Sequence, residues 1–305
     1  MNPRRRSGPR KFTPRDDRSE ARRGERRLEA ALRNLEPGTA DLPRPWARVD
    51  LDARTRSEET GVYGLHTVQA LIEHQPERVL ELLVDEQRAS NTLASLRLDL
   101  RQRELPYRVV PRSFLDRITR DANHQGVACR VRPFVYAPLA ELVECDSPAL
   151  LLLDGIEDPR NLGAAARAAL ALGATGLVIP KDRAAAVTPA AEHVAAGALA
   201  QLPVAMVTNL ARAIDDLKRL GVWTIAAEAD AGVPPWQVDL TGPVALVVGG
   251  EDRGVRRLVR ERCDLALAIP MAEPRLSLNA ADAACALLYE MLRQRATRSA
   301  GEKER

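Results

Sequence analysis

Apolar positions along this chain follow two spacings, and the switches between them mark its elements. Leu65, Val68, Leu71 and Ile72 recur at three- and four-residue intervals and predict a helix over Leu65–Glu73. Val79–Val84 reads as a buried strand, and Leu93, Leu96 and Leu100 as one face of a second helix. Tyr107–Val110 and Gly126–Val131 read as strands, with a short helix over Ser113–Ile118 between them. Arg132–Pro148 then carries Pro133, Pro138 and Pro148 and reads as a linker.

From Leu150 onward the strand-like runs are continuously apolar, the pattern of strands buried on both faces. They fall at Leu150–Leu153, Gly176–Ile179, Val204–Val207, Val222–Ala226, Val244–Val248 and Leu265–Ile269. Helical spacing fills the gaps at Asn161–Leu172, Pro189–Ala196, Leu210–Leu220 and Val255–Arg262, and a long final helix is predicted over Asn279–Gln294. Strands alternating with helices predict an α/β fold with a mostly parallel sheet covered on both sides. The expected plan is tail and linker over 1–58, a small α/β domain over 59–132, a linker over 133–148, a larger α/β domain over 149–296 and a charged tail over 297–305.

With 305 residues, 45% of them apolar, the chain can bury a substantial core. No apolar run reaches the roughly 18 residues a membrane-spanning helix needs. The first residues, Met1-Asn2-Pro3-Arg4-Arg5-Arg6, lead into more charge rather than a secretory signal, so a cytoplasmic location is expected. Neither the four cysteines nor the four histidines have metal-ligand spacing, and no metal is expected. Charge is unevenly placed. Residues 1–27 hold eleven Lys/Arg against four Asp/Glu, a net +7 that leaves −4 for the rest of a chain totalling +3. Such an arm can track a phosphate backbone or serve solubility alone.

Ligands of open α/β sheets bind beyond the carboxyl ends of the strands, and three segments fall there. The first is Asp154–Gly163, with Asn161 at the start of a helix. The second is Gly249-Gly250-Glu251-Asp252-Arg253-Gly254, whose glycines permit close backbone approach. The third is Ile269-Pro270-Met271 through Ser277-Leu278-Asn279. Helix starts, tight turns and caps would also explain these residues. On the residues alone, no reaction can be named.

Taken in order, the segments resemble the three motifs of the SpoU family of trefoil-knot RNA ribose methyltransferases: Asp158–Arg167, Leu246–Gly254, and Ile269-Pro270-Met271 with Ser277-Leu278-Asn279. Tyr63–Leu71, His124-Gln125-Gly126-Val127 and Val178–Arg183 are similar to the branch that modifies a guanosine of bacterial 23S rRNA. The resemblance implies a deep knot in the C-terminal domain, and an N-terminal L30e-like RNA-binding domain. It implies S-adenosylmethionine held by Gly249, Ile269 and Leu278, with Gly250, Pro270 and Met271 beside them. It assigns the chemistry to Arg167, with Asn161, Glu251, Ser277 and Asn279 around it, acting on a ribose 2′-oxygen. Arg167 is expected to stabilise charge rather than act as a literal base, because arginine stays protonated. Six residues apart on a helix, Asn161 and Arg167 project about 120° from each other, which fits a site shared across a homodimer. The sequence departs from the family at Ala280-Ala281-Asp282 and Glu273-Pro274-Arg275. Two other readings are a tRNA 2′-O-methyltransferase of the same family and a non-catalytic RNA-binding assembly factor.

Overall fold

The structure, a computed structural model, describes residues 60–303 apart from 90–91, 93–95, 97–104, 252 and 274–275. The expected tail over 1–58 lies outside the described residues, as do Leu93 and Leu100 of the expected second helix; Leu96 is helical and buried.

A four-stranded sheet is built from β1 (Thr60–Tyr63), β2 (Val79–Asp85), β3 (Tyr107–Val110) and β4 (Val127–Val131) in the order β1-β4-β2-β3. Its β2–β3 pair is parallel and the pairs with β4 are antiparallel. Helix α1 (Leu65–His74) buries Val68, Leu71 and Ile72, the stripe that its spacing predicts. Helix α2 (Arg112–Thr119) seats Leu115 against Leu83 and Ala128 of the sheet.

The second sheet has six strands, all parallel: β5 (Ala149–Asp154), β6 (Gly176–Pro180), β7 (Val204–Val207), β8 (Trp223–Ala227), β9 (Val244–Gly249) and β10 (Leu265–Leu267), in the order β10-β8-β9-β5-β6-β7. Successive residues of a strand point to opposite faces, so continuous apolar runs supply two cores. Leu151, Leu153, Leu246 and Val248 pack with residues of α3 (Pro159–Ala171), α4 (Pro189–Ala195) and α7 (Ala280–Lys303). Leu150, Leu152, Ala245 and Val247 pack with residues of α5 (Leu210–Arg219) and Val259 of α6 (Arg257–Arg262). The stretch joining the two sheets is itself packed. Ala137 N–H donates to the Val204 carbonyl at 2.8 Å, and Leu142, in a 3-10 turn over Leu139–Val143, is buried beside Gly176.

Several element ends differ from the sequence expectation, and three of the differences have a local reason. β10 stops at Leu267 rather than Ile269, because Ala268 N–H leaves the ladder for the Val233 carbonyl. α6 starts at Arg257 rather than Val255, because Arg256 is extended and its N–H is held by the Asp154 carboxylate. α7 runs to Lys303 rather than ending near Gln294, and takes in most of the expected tail over 297–305. Arg295 anchors that extension through the carbonyls of Leu240, Ser147, Pro148 and Gly242.

Candidate active site

The three motif segments meet at the carboxyl edge of the six-stranded sheet. Asp154 ends β5 opposite Gly249, which ends β9. At Gly249 an added Cβ would lie 1.9 Å from the Gly254 carbonyl carbon, because the loop folds back on itself through Gly254 N–H to the Gly250 carbonyl. At Gly250 a Cβ would come within 2.7 Å of the Gly155 carbonyl. The close approach implied by these glycines is therefore made first by the chain's own backbone.

Asn161, Glu251 and Asn279, one from each segment, form a hydrogen-bonded triangle. The Asn279 Oδ1 accepts Ala281 N–H at 2.8 Å and caps α7, which turns its Nδ2 toward the other two residues. That Nδ2 donates to Glu251 Oε1 at 2.6 Å and to Asn161 Oδ1 at 3.1 Å. Asn161 Nδ2 donates to the same Glu251 oxygen at 2.9 Å. A carboxylate only accepts, so Glu251 fixes both amide orientations. Asn161 reaches the triangle from the first turn of α3, which is capped by the Asp158 carboxylate on Arg160 N–H at 2.8 Å and opened by Pro159. The side-chain hydrogen bond from Arg160 holds the Asp158 carboxyl below its ordinary pKa.

A cavity of about 740 Å³ opens over the triangle, lined by residues of the Asp154–Asn161 and Gly250–Arg256 segments with Arg183 and Asn279. The structure does not bring every expected site residue there. Arg167 is exposed, lies outside the lining and has no hydrogen-bond or ion-pair partner among the described residues. Ser277 is likewise exposed and outside the lining. Gly249, Ile269, Pro270, Met271 and Leu278 also lie outside this cavity. Gly249 and Ile269 share the carboxyl edge of the sheet, with β8 between their strands. Ile269 and Leu278 are half-buried, and among the described residues neither makes a backbone–backbone hydrogen bond. Apolar walls beside uncommitted backbone groups suit a nucleoside-bearing cofactor such as S-adenosylmethionine.

Two carboxylates that the sequence did not mark as site residues, the buried Asp154 and the half-buried Glu228, hold the end of the Gly249–Gly254 loop from either side. The fully buried Asp154 accepts Arg256 N–H at 2.8 Å and Arg256 Nε at 2.7 Å. Glu228, just beyond β8, accepts from Val255 N–H and pairs with Arg260 at 3.5 Å. Burial pushes the Glu228 carboxyl above its ordinary pKa, against the lowering effect of Arg260. An acid following an apolar strand was the only sequence signal at either position.

Residues 148–289 match the SpoU rRNA Methylase family, and residues 62–137 match the RNA 2′-O ribose methyltransferase substrate-binding family. Among curated proteins, the 23S rRNA (guanosine-2′-O-)-methyltransferase RlmB of Pseudomonas putida is 39% identical over 239 residues, 77% of this chain and 96% of that protein.

The chain belongs to the SpoU family.

RlmB of Escherichia coli K12 is 40% identical over 238 residues, covering 77% of this chain and 98% of its own. Among solved structures, the SpoU methyltransferase AviRb of Streptomyces viridochromogenes in complex with AdoMet superposes with a TM-score of 0.71 at 27% identity, over 83% of this chain and 98% of that one. Within this SpoU chain no described group of three or more His, Cys, Asp or Glu is placed to hold a metal. No described helix is long and apolar enough to cross a membrane.

Proposed function

We propose that this SpoU-family chain is an S-adenosylmethionine-dependent ribose 2′-O-methyltransferase acting on a guanosine of 23S rRNA, in the cytoplasm, with the knotted chain path that its family resemblance implies. The observation that carries the reading is the Asn161–Glu251–Asn279 triangle, assembled from three segments 118 residues apart at their limits, in a chain about 40% identical to RlmB proteins. S-adenosylmethionine, when bound, supplies an electrophilic methyl group. Gly249, Gly250, Ile269, Pro270, Met271 and Leu278 would hold it, through backbone groups and apolar contact.

Glu251 Oε1 is taken up by two amides, which leaves its second oxygen to accept a hydrogen bond from substrate and orient the ribose. A 2′-hydroxyl is a weak nucleophile while protonated, so charge that develops on its oxygen has to be stabilised. Arg167 is suited to that task but is not among the residues lining its own cavity. We infer that it serves the cavity of a second copy, with Ser277 near the same junction, so that the active form is a homodimer.

The test is transfer of a labelled methyl group to unmodified 23S rRNA, 16S rRNA and tRNA, with wild type beside Arg167→Ala and Glu251→Gln. The expected result is 23S rRNA labelling that either substitution abolishes. Mixing the two inactive variants should restore part of it, because one of the two sites in a mixed dimer is then intact. Labelling of tRNA alone would replace the substrate, and failure to bind S-adenosylmethionine would leave an RNA-binding factor.

A further inference from the structure

Four acids and four arginines line the cavity, and only two of the arginines are paired within it. Asp154 is matched by Arg256 and Asp158 by Arg160 at 2.8 Å. Arg183 and Arg253 line the same cavity, are exposed, and have no anionic partner among the described residues. Their placement follows from strand order. β9, β5 and β6 are adjacent, so the loop carrying Arg253 and the loop carrying Arg183 flank the β5–α3 loop on opposite sides.

Arg183 is also held where an arginine is costly. Its φ is +55°, the left-handed region that glycine adopts freely and other residues enter only with strain. The surrounding loop is fastened at both ends. Lys181 N–H donates to the Val207 carbonyl at 2.8 Å, Ala185 N–H to the Ile156 carbonyl at 2.7 Å, and Val187 N–H to Tyr136 Oη at 3.0 Å. A guanidinium displayed on a pinned loop, in a strained backbone, beside a cavity is arranged to meet an anion.

We propose that Arg183 and Arg253 clamp the two RNA phosphates on either side of the nucleotide whose ribose enters the cavity. This rests on the reading above that the substrate is RNA. Guanidinium groups suit the task because their planar fork matches two phosphate oxygens. The exposed Glu157 and Glu251 on the same lining oppose binding, so the two guanidiniums act locally and not through a net positive charge of the cavity.

The experiment measures binding of full-length protein to unmodified 23S rRNA transcript across a salt series, for wild type, Arg183→Gly, Arg253→Gln and the two lysine replacements. Each neutral variant is expected to lower the slope of log affinity against log salt by about 1, equivalent to about 10-fold weaker binding at 0.1 M relative to 1 M salt. The lysine variants should retain the slope. Arg183→Gly relieves the backbone strain, so it should melt no lower than wild type while binding RNA less well, a combination that a structural role for Arg183 would not produce. Slopes equal to wild type would overturn the clamp. So would weakened S-adenosylmethionine binding in calorimetry, which would mean that the arginines hold the cofactor's carboxylate. A wild-type protein that binds and methylates no RNA would sink the functional reading itself, and that result is visible without any variant.

Discussion

At Gly249 even a methyl group has no room, and the obstruction is backbone. A Cβ there would meet the carbonyl carbon and oxygen of Gly254 at 1.9 and 2.2 Å, atoms that no rotamer change can move. Gly249→Ala should therefore open the loop, lower stability by about 1–3 kcal/mol and weaken S-adenosylmethionine binding. Gly232→Ala is the control, since a Cβ there meets nothing within 4 Å. Calorimetry and thermal melts on both variants check this; equal behaviour would show that the loop tolerates the bulk. Gly163 makes a related point. It could be taken for an ordinary helix-start residue, yet a Cβ there would lie 2.5 Å from the Ala191 carbonyl, so its absence lets α3 lie against α4. A sequence shows that a side chain is missing, but what occupies its place is a three-dimensional fact. The same holds for the triangle. Its three members were legible as motif residues, whereas the shared Glu251 oxygen that orders them was not.

Edge strand β10 has only β8 as a neighbour in its sheet, and a single carboxylate secures its start. Asp264 accepts Thr224 N–H at 2.9 Å and the Thr224 hydroxyl at 2.7 Å, and pairs with Lys218 at 2.7 Å. Burial raises its pKa, but the hydrogen bonds from Lys218 and Thr224 outweigh that and hold it below the ordinary value. For a lowered carboxylate the stabilisation is complete above the unfolded pKa, about 3.9, and is lost as pH falls through the folded value. Asp264→Asn should thus reduce stability at pH 7 by about 1.5–3 kcal/mol, and the gap from wild type should close below about pH 4. Urea unfolding at pH 7 and pH 3 measures it; a gap that stays constant with pH would rule out the ionised contact. Strands of this sheet were readable from apolar runs because both faces are buried. Element ends were less readable, because at β10, α6 and α7 a hydrogen bond to a distant segment intervenes: backbone to backbone at Ala268, a carboxylate on Arg256 N–H, and the Arg295 guanidinium on four carbonyls. No periodicity encodes such a contact.

At the scale of the whole molecule the two sheets are joined by an ion pair with almost no access to water. Arg78, between α1 and β2, donates to both oxygens of Glu192 in α4, at 2.9 and 3.3 Å, and the side chains are only 3% and 4% exposed. The guanidinium also donates to Gln75 Oε1 at 2.7 Å and sits 5.2 Å from the Phe134 ring centroid. Alongside, the Tyr63 and His193 rings lie 4.4 Å apart, and Gly197 admits Ala70 where a Cβ would be 2.6 Å away. Arg78 and Glu192 are 114 residues apart and neither belongs to a motif segment, so nothing in the sequence marks this junction. Burying two charges is unfavourable unless each satisfies the other, and removing one leaves the second stranded. Glu192→Ala should therefore cost about 3–5 kcal/mol, whereas replacing the pair together, Arg78→Met with Glu192→Leu, should recover most of that loss. The functional consequence separates joining from mere stability. The four-stranded layer falls largely within the match to the RNA substrate-binding family, so with the junction loosened KM for 23S rRNA should rise while S-adenosylmethionine affinity stays the same. Melting curves on the single and double variants, with both substrate constants, decide it. If Glu192→Ala melted as wild type does and kept its KM, the pair would contribute nothing to aligning the two sheets.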